Sequence, residues 1–343
     1  MRDHKKLLSL LYALLYAIMP STITRVLVTG ASAGLGKECC RQLAEVEGIQ
    51  KVYLGCRNQK RAELAKVELE EITDKTADSK FFEIVIIDLS KLDSVRAAVM
   101  NLVEPIDGLV LNAGGPTVNP LEITPNGTGG GTCNILANNV LGHVLFVDLL
   151  LKEKKLNQYG SVIYSGSEAA RGVMGQPPPD IKDGSIQEFS SICDGTFVKQ
   201  NEGLIYPCTK LVAVLWMNYM ARKHSSNNNN NNNMRFVTIS PGGTTGTNIF
   251  QSLPFFKRII FTTIFKLMEM FGKTHNVEIG AKRYVNALLD RSTKKETTYQ
   301  SGIFYGSKDG ISGTEIVDQS IFFDAFNNEE YQDNANTAIH KFL

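Results

Sequence analysis

Three hundred and forty-three residues exceed one minimal domain, and a hydrophobic fraction of 43% can build a sizeable core. Charged residues make up 21% and the formal net charge is +1. No strong field draws the chain to nucleic acid, and collagen, global disorder and a polytopic membrane protein are excluded.

Arg2, Lys5 and Lys6 precede an apolar run from Leu7 to Met19, which Pro20 stops. A helix over that run reaches only about 20 Å, short of the roughly 30 Å hydrocarbon core. Three readings stay open for residues 1–22: an uncleaved anchor or interfacial helix, a signal peptide, or a soluble packing helix.

From Arg25 the pattern alternates. Apolar, β-branched runs at Arg25–Thr29, Lys51–Cys56, Phe81–Ile87, Asp107–Leu111, Gly160–Ser165 and Met234–Ile239 predict strands, most of them buried on both faces. Segments with 3.6-residue periodicity at Leu35–Val46, Gln59–Ile72, Leu92–Val103, Cys133–Leu151 and Leu204–Arg222 predict helices between them. Such alternation means parallel pairs joined by right-handed crossovers: an α/β fold with one doubly wound, Rossmann-type parallel sheet and helices on both faces. Its crevice should lie at the carboxyl ends of the strands. Two stretches interrupt the pattern. Pro177-Pro178-Pro179 opens an irregular surface insertion running to about Gly203, and Asn227 to Asn233 form a solvated loop. Six cysteines without paired CxxC spacing make neither a disulfide framework nor a zinc site, so buried, reduced thiols are expected.

The first strand runs into Thr29-Gly30-Ala31-Ser32-Ala33-Gly34-Leu35-Gly36. A strand–glycine turn–helix in a βαβ unit lets backbone approach a pyrophosphate, which then meets the N–H groups of a helix start. The second strand ends in Gly55-Cys56-Arg57-Asn58. An acidic residue here would serve NAD. Arg57 suits the 2′-phosphate of NADP(H), unless it is merely solvated. Asp88 ends the third strand, where it would accept from an adenine amino group or cap the next helix. Tyr206 and Lys210 lie four residues apart on one helix face, so the ammonium is placed to lower the phenol pKa toward neutrality.

With these features in order, the sequence resembles the short-chain dehydrogenase/reductase superfamily over about residues 24 to 305. Asn112-Ala113-Gly114-Gly115 is similar to its Asn-Ala-Gly motif, and Asn139-Val140-Leu141-Gly142-His143 to the segment whose asparagine joins the catalytic set. Ser165-Gly166-Ser167 closes the fifth strand, with Ser167 in the catalytic position, and Pro241-Gly242-Gly243-Thr244 is similar to the motif beside the nicotinamide.

The resemblance implies Tyr206 as acid or base, Lys210 on the nicotinamide ribose, Ser167 on the substrate oxygen, and Asn139 holding a water in a relay to Lys210. Thr29, Gly30, Ser32, Gly34, Leu35, Gly36, Arg57, Asp88, Leu89, Asn112, Ala113, Gly114, Tyr206, Lys210, Pro241, Gly242 and Thr244 would line the NADP(H) site. His143 reads as a packing or capping group rather than a base, and no metal site is expected. Residues 23–343 then form the cofactor-binding domain, with insertions at 172–203 and 225–233. The long spacing from Ser167 to Tyr206, and Ser301-Gly302-Ile303-Phe304-Tyr305, resemble the retinol-dehydrogenase-like and protochlorophyllide-reductase-like branch.

Leu253–Phe271 is unusually apolar and packs on the core or a second copy, or else forms a substrate mouth or membrane contact. The expected activity interconverts a carbonyl and an alcohol on a lipophilic molecule such as a retinoid, steroid or fatty aldehyde. Tetrapyrrole reduction and a non-catalytic nucleotide sensor are the alternatives. A homodimer is expected, as is a membrane-associated location of endoplasmic-reticulum type, or failing that the cytoplasm.

Overall fold

The computed structural model describes residues 23–76, 80–125, 131–173, 177–198, 202–225, 233–246, 263, 269, 274–290 and 298–343. The expectations placed on residues 1–22, on 226–232 of the asparagine loop and on nearly all of 253–271 fall outside them.

Five strands and three helices build the first half: β1 (Arg25–Thr29), α1 (Gly34–Ala44), β2 (Lys51–Cys56), α2 (Gln59–Ile72), β3 (Phe82–Ile86), α3 (Leu92–Asn101), β4 (Ile106–Leu111) and β5 (Ile123–Pro125). There follow β6 (Gly131–Cys133), α4 (Asn134–Lys152), β7 (Leu156–Ser165), α5 (Ile186–Cys193), α6 (Ile205–Lys223) and β8 (Arg235–Ile239). The chain closes with α7 (Val277–Leu289), β9 (Phe304–Asp309), β10 (Ser312–Asp318) and α8 (Glu329–His340).

The sheet runs in the order β10-β9-β8-β7-β4-β1-β2-β3. All neighbours pair in parallel except β9 and β10, which form an antiparallel edge. Strand order reverses between β1 and β4, which opens the crevice there. Alternate side chains feed two cores: Leu27 joins α3, α4, α6 and α8 on one face, while Val26 and Val28 join α1, α2 and α7 on the other. Being covered on both sides, β4 is buried along its whole length, as a parallel central strand requires. The apolar α4 is long enough to cross a bilayer, yet it packs inside this core. All six cysteines are buried and unbonded to one another.

At the amino ends of the strands one carboxylate gathers three of them. Asp107, on β4, accepts from Thr24 N (3.0 Å), Thr24 Oγ1 (2.8 Å), Arg25 N (2.9 Å) and Asn157 Nδ2. Burial opposes its charge, but these donors outweigh burial and hold the carboxyl below its ordinary range.

The insertion corrects the sequence reading. It is not irregular throughout: α5 forms within it and turns Phe189, Ile192 and Cys193 into the core against α8. Strands β9 and β10 and helices α7 and α8 were not predicted. The strands are polar and contain glycine, whereas the helices do carry a 3.6-residue pattern, at Ala281, Tyr284, Val285 and Leu288 and at Gln332, Ala335 and Ile339, which the sequence reading passed over.

Candidate active site

The turn after β1 is built around missing side chains. Gly30 (φ +70°) and Gly34 (φ +54°) take left-handed backbone that favours glycine. A Cβ on Gly36 would stand 2.4 Å from the Gly30 carbonyl oxygen, so α1 packs against its own turn through a bare backbone. No side chain caps α1, and its first turn holds no acidic residue. The start of α1 therefore keeps the polarity an anion requires. Asn112 Nδ2 donates to Thr29 O (2.9 Å) and Ala113 N to Thr29 Oγ1 (3.0 Å), clasping the ends of β1 and β4 at the switch point.

Arg57 is exposed just beyond β2, beside Asn58, which caps α2 by accepting from Arg61 N at 2.9 Å. Asp88 spends one oxygen on a local turn, accepting from Ser90 Oγ (2.7 Å) and Ser90 N (3.2 Å), while the other lies 3.8 Å from Lys91 Nζ. It caps that turn, not α3, for which Lys91 stands at the N-cap position and makes no side-chain cap. Leu89 is buried under α4: a Cβ on Gly142 would sit 2.1 Å from the Leu89 carbonyl oxygen.

Asn139 lies fully buried in a π-helical turn of α4, Ala137–Leu141. Its side chain accepts from Gly115 N (2.7 Å) and donates to Gly115 O (3.0 Å) and Ile135 O (2.8 Å), pinning the loop after β4. Gly114 must be bare, since a Cβ there would meet Asn139 Oδ1 at 2.5 Å. His143 stacks below, with Nδ1 3.1 Å from Asn139 O and Nε2 3.1 Å from Thr29 Oγ1. A carbonyl only accepts, so Nδ1 carries the proton and Nε2 accepts from Thr29. Burial pushes the imidazole pKa down to about 3, so it is neutral and structural, as the packing assignment expected.

Ser167, Tyr206 and Lys210 meet at the carboxyl end of β7. Pro207 is tolerated because it falls in the first turn of α6, and Lys210 follows Tyr206 by one turn. Of the two serines, Ser165 Oγ is engaged with Tyr284 OH at 2.6 Å, whereas Ser167 Oγ accepts from Ala169 N at 3.3 Å and lies near enough to the Tyr206 phenol to favour its ionised form. Lys210 Nζ donates to Ser165 O (2.9 Å) and sits 5.7 Å from the Tyr206 ring centre.

The electrostatic balance differs from the expectation that Lys210 lowers the tyrosine pKa. Burial pushes Tyr206 up to about 12, against the opposing influence of Ser167, and pushes Lys210 down to about 7. Both charged forms lose solvent on burial, and that cost leads both shifts.

The Pro241 loop, with Gly242 at φ +73°, is held both by its own Thr244 and by residues distant in sequence. His275 Nε2 bonds Pro241 O at 2.6 Å, and Thr244 Oγ1 donates to Pro241 O at 3.2 Å. Buried Glu168, the residue after Ser167, accepts from Ser240 Oγ (2.5 Å) and Ser307 N (2.9 Å). Arg283 reaches Ser240 O and Ser307 Oγ, both at 3.1 Å. These polar ties join β7, β8 and β9, and they are pairings across long sequence separations that no local motif encodes.

A family profile described as short chain dehydrogenase matches residues 24–178. A chloroplastic protochlorophyllide reductase of Cucumis sativus is 28% identical over 290 residues, covering 80% of this chain and 69% of that protein. Protochlorophyllide reductase A of Arabidopsis thaliana is 29% identical over 294 residues, with coverage of 80% and 68%. Among solved structures, a protein from Mycobacterium paratuberculosis has a TM-score of 0.63 at 20% identity, covering 95% of this chain and 96% of that one. L-sorbose reductase from Gluconobacter frateurii, solved with NADPH and L-sorbose, has a TM-score of 0.58 at 17% identity, covering 85% and 98%. At these identities the solved structures share the fold.

Proposed function

We propose that the chain is a member of the short-chain dehydrogenase/reductase superfamily, similar to its protochlorophyllide-reductase-like branch, and that it interconverts a carbonyl and an alcohol on a lipophilic small molecule. The observation that carries this is the meeting of Ser167, Tyr206 and Lys210 at the strand ends, across the crevice from the bare glycine turn.

The residues present fit NADP(H). A Cβ would fill the cradle at Gly36, the open start of α1 suits a pyrophosphate, and exposed Arg57 suits a 2′-phosphate. Such a cofactor, when bound, supplies the hydride that a carbonyl carbon receives. Asn112, Ala113, Gly114, Pro241, Gly242 and Thr244 would line the floor and rim, and Lys210 would hold the nicotinamide ribose. The Ser167 hydroxyl orients the substrate oxygen. Tyr206 keeps its proton at neutral pH because burial raises its pKa, so it is ready to give that proton to a carbonyl oxygen. The resulting phenolate faces Lys210.

The apolar sequences Leu7–Met19 and Leu253–Phe271 support a lipophilic substrate and contact with a membrane surface. Second copies of the chain are proposed as the other partner. A second reading, reduction of a protochlorophyllide-like tetrapyrrole, is supported by relatives 26–29% identical over 80% of the chain.

An NADPH-consumption screen tests both. Retinoids, steroids, fatty aldehydes, quinones and protochlorophyllide are each offered in light and in darkness. Dark turnover of a carbonyl compound is expected; turnover of protochlorophyllide alone, only under illumination, replaces the first reading by the second. No turnover of any probe by a folded, NADPH-binding protein leaves the nucleotide sensor.

A further inference from the structure

Tyr164, next to last in β7, is 1% exposed. His143 stands edge-on to its ring at 5.9 Å and Trp216 at 6.5 Å, so the phenol is fixed in place. Its hydroxyl accepts from Lys210 Nζ at 3.4 Å and donates to the Asn139 carbonyl at 3.0 Å. Resemblance to the family implies a water on Asn139 linking onward to Lys210. Here a side chain of the protein spans the same two groups.

Beyond Asn139 O the bonded string continues through His143 to Thr29 Oγ1, which also accepts from Ala113 N. Every member except Ala113 is buried, and the string ends on backbone. It is a frame, with no exit to solvent along its length. The ammonium rests between two phenol rings, 4.9 Å from the centre of Tyr164 and 5.7 Å from that of Tyr206.

We infer that Tyr164 is a positioning residue whose hydroxyl stands in for a bridging water and holds Lys210 beside Tyr206. The link to turnover rests on the proposed oxidoreductase reading; the geometry does not. The titratable groups facing this ammonium are Tyr206 on its own helix, Tyr164 on β7, His143 on α4 and, through Ser165, Tyr284 on α7. Uncharged His143 and the three phenols leave hydrogen bonding as the chief support for the charged lysine.

The test is Tyr164→Phe in the full chain, which keeps the ring and removes one oxygen. Lysine labelled with ¹³C at Cε is titrated by NMR, and the Lys210 signal is identified by its loss in Lys210→Met. Losing an acceptor disfavours the charged amine, so the Lys210 midpoint should fall by about one unit. NADPH affinity and melting temperature should be retained. In alcohol oxidation, the acid limb of the kcat profile should move to higher pH and kcat fall about tenfold, with KM little changed.

An unmoved Lys210 midpoint in a folded variant overturns the inference. If Tyr164→Phe does not fold, 3-fluorotyrosine placed at 164 alone keeps the shape and weakens the acceptor; an unmoved midpoint there is equally fatal. A wild-type protein that turns over no probe defeats the oxidoreductase reading while leaving the NMR comparison to decide this one.

Discussion

Arg57 projects into solvent one residue past β2, and among the described residues it has no ion-pair partner. Arg57→Ala should therefore cost little stability and act on cofactor choice. Charge-assisted hydrogen bonds contribute about 1.5–3 kcal/mol, so NADPH affinity should fall about tenfold to hundredfold while NADH affinity stays the same. Fluorescence titration with both cofactors checks this, and equal losses would return Arg57 to the plain surface. Tyr206→Phe removes the proposed proton donor and keeps its shape. Turnover should fall by at least about 100-fold with NADPH affinity unchanged, as initial rates and binding together will show. His143 should reveal itself in acid. Its folded pKa is about 3, so between the ordinary 6.5 and 3 only the unfolded chain takes up the proton. The stabilisation is complete above pH 6.5 and is lost progressively below it. From pH 6.5 to 5 the wild type should lose about 2 kcal/mol more than His143→Gln, measured by urea unfolding at each pH.

Among the elements, α1 tolerates little change at Gly36. Gly36→Ala drives a methyl group into the Gly30 carbonyl oxygen at 2.4 Å and the Asn112 amide at 2.5 Å, which is itself bonded to Thr29 O, so the helix must shift away from its turn. A cost of about 1–3 kcal/mol follows, with NADPH binding reduced well beyond that of a surface control; an alanine variant that melts and binds like wild type contradicts the packing argument. The elements that frame this site were readable because they are buried parallel strands ending in glycine turns. Predicted and observed bounds coincide at β1, β2 and α2. Helix α5 also carried a signal. Ser185 caps it by accepting from Glu188 N (3.1 Å), while the Glu188 carboxylate accepts from Gly184 N (2.8 Å) and Asp183 N (3.0 Å). That Ser-x-x-Glu spacing marks a helix start, and the preceding prolines drew the reading away from it. Tyr164 was hidden differently. In an apolar strand an inward tyrosine reads as core, and only its distance to two groups far away in sequence gives it a role. Glu168 and Arg283 were hidden for the same reason.

For the molecule as a whole, deletion of residues 1–20 separates membrane contact from catalysis. The cut precedes β1 and leaves the Asp107 clasp on Thr24 and Arg25 untouched, so the fold and NADPH affinity should survive. If Leu7–Met19 seats in a bilayer interface, its burial supplies several kcal/mol at roughly 25 cal/mol per Å². Full-length protein should then pellet with vesicles and the shortened form stay largely in the supernatant. A full-length chain that is monodisperse without detergent argues against the anchor. The Asp107 clasp also has an orientational consequence. It fixes the start of β1 at the end of the sheet opposite the crevice, whereas Thr244 and His275 pair with each other at the crevice end. About one strand length, some 17–20 Å, separates the two ends. A flat bilayer touching the protein at Thr24 thus lies on the far side from the strand ends where Ser167 and Tyr206 meet. A tethered enzyme would take its substrate from water or from a carrier, and one that draws substrate straight from lipid would have to lie the other way up.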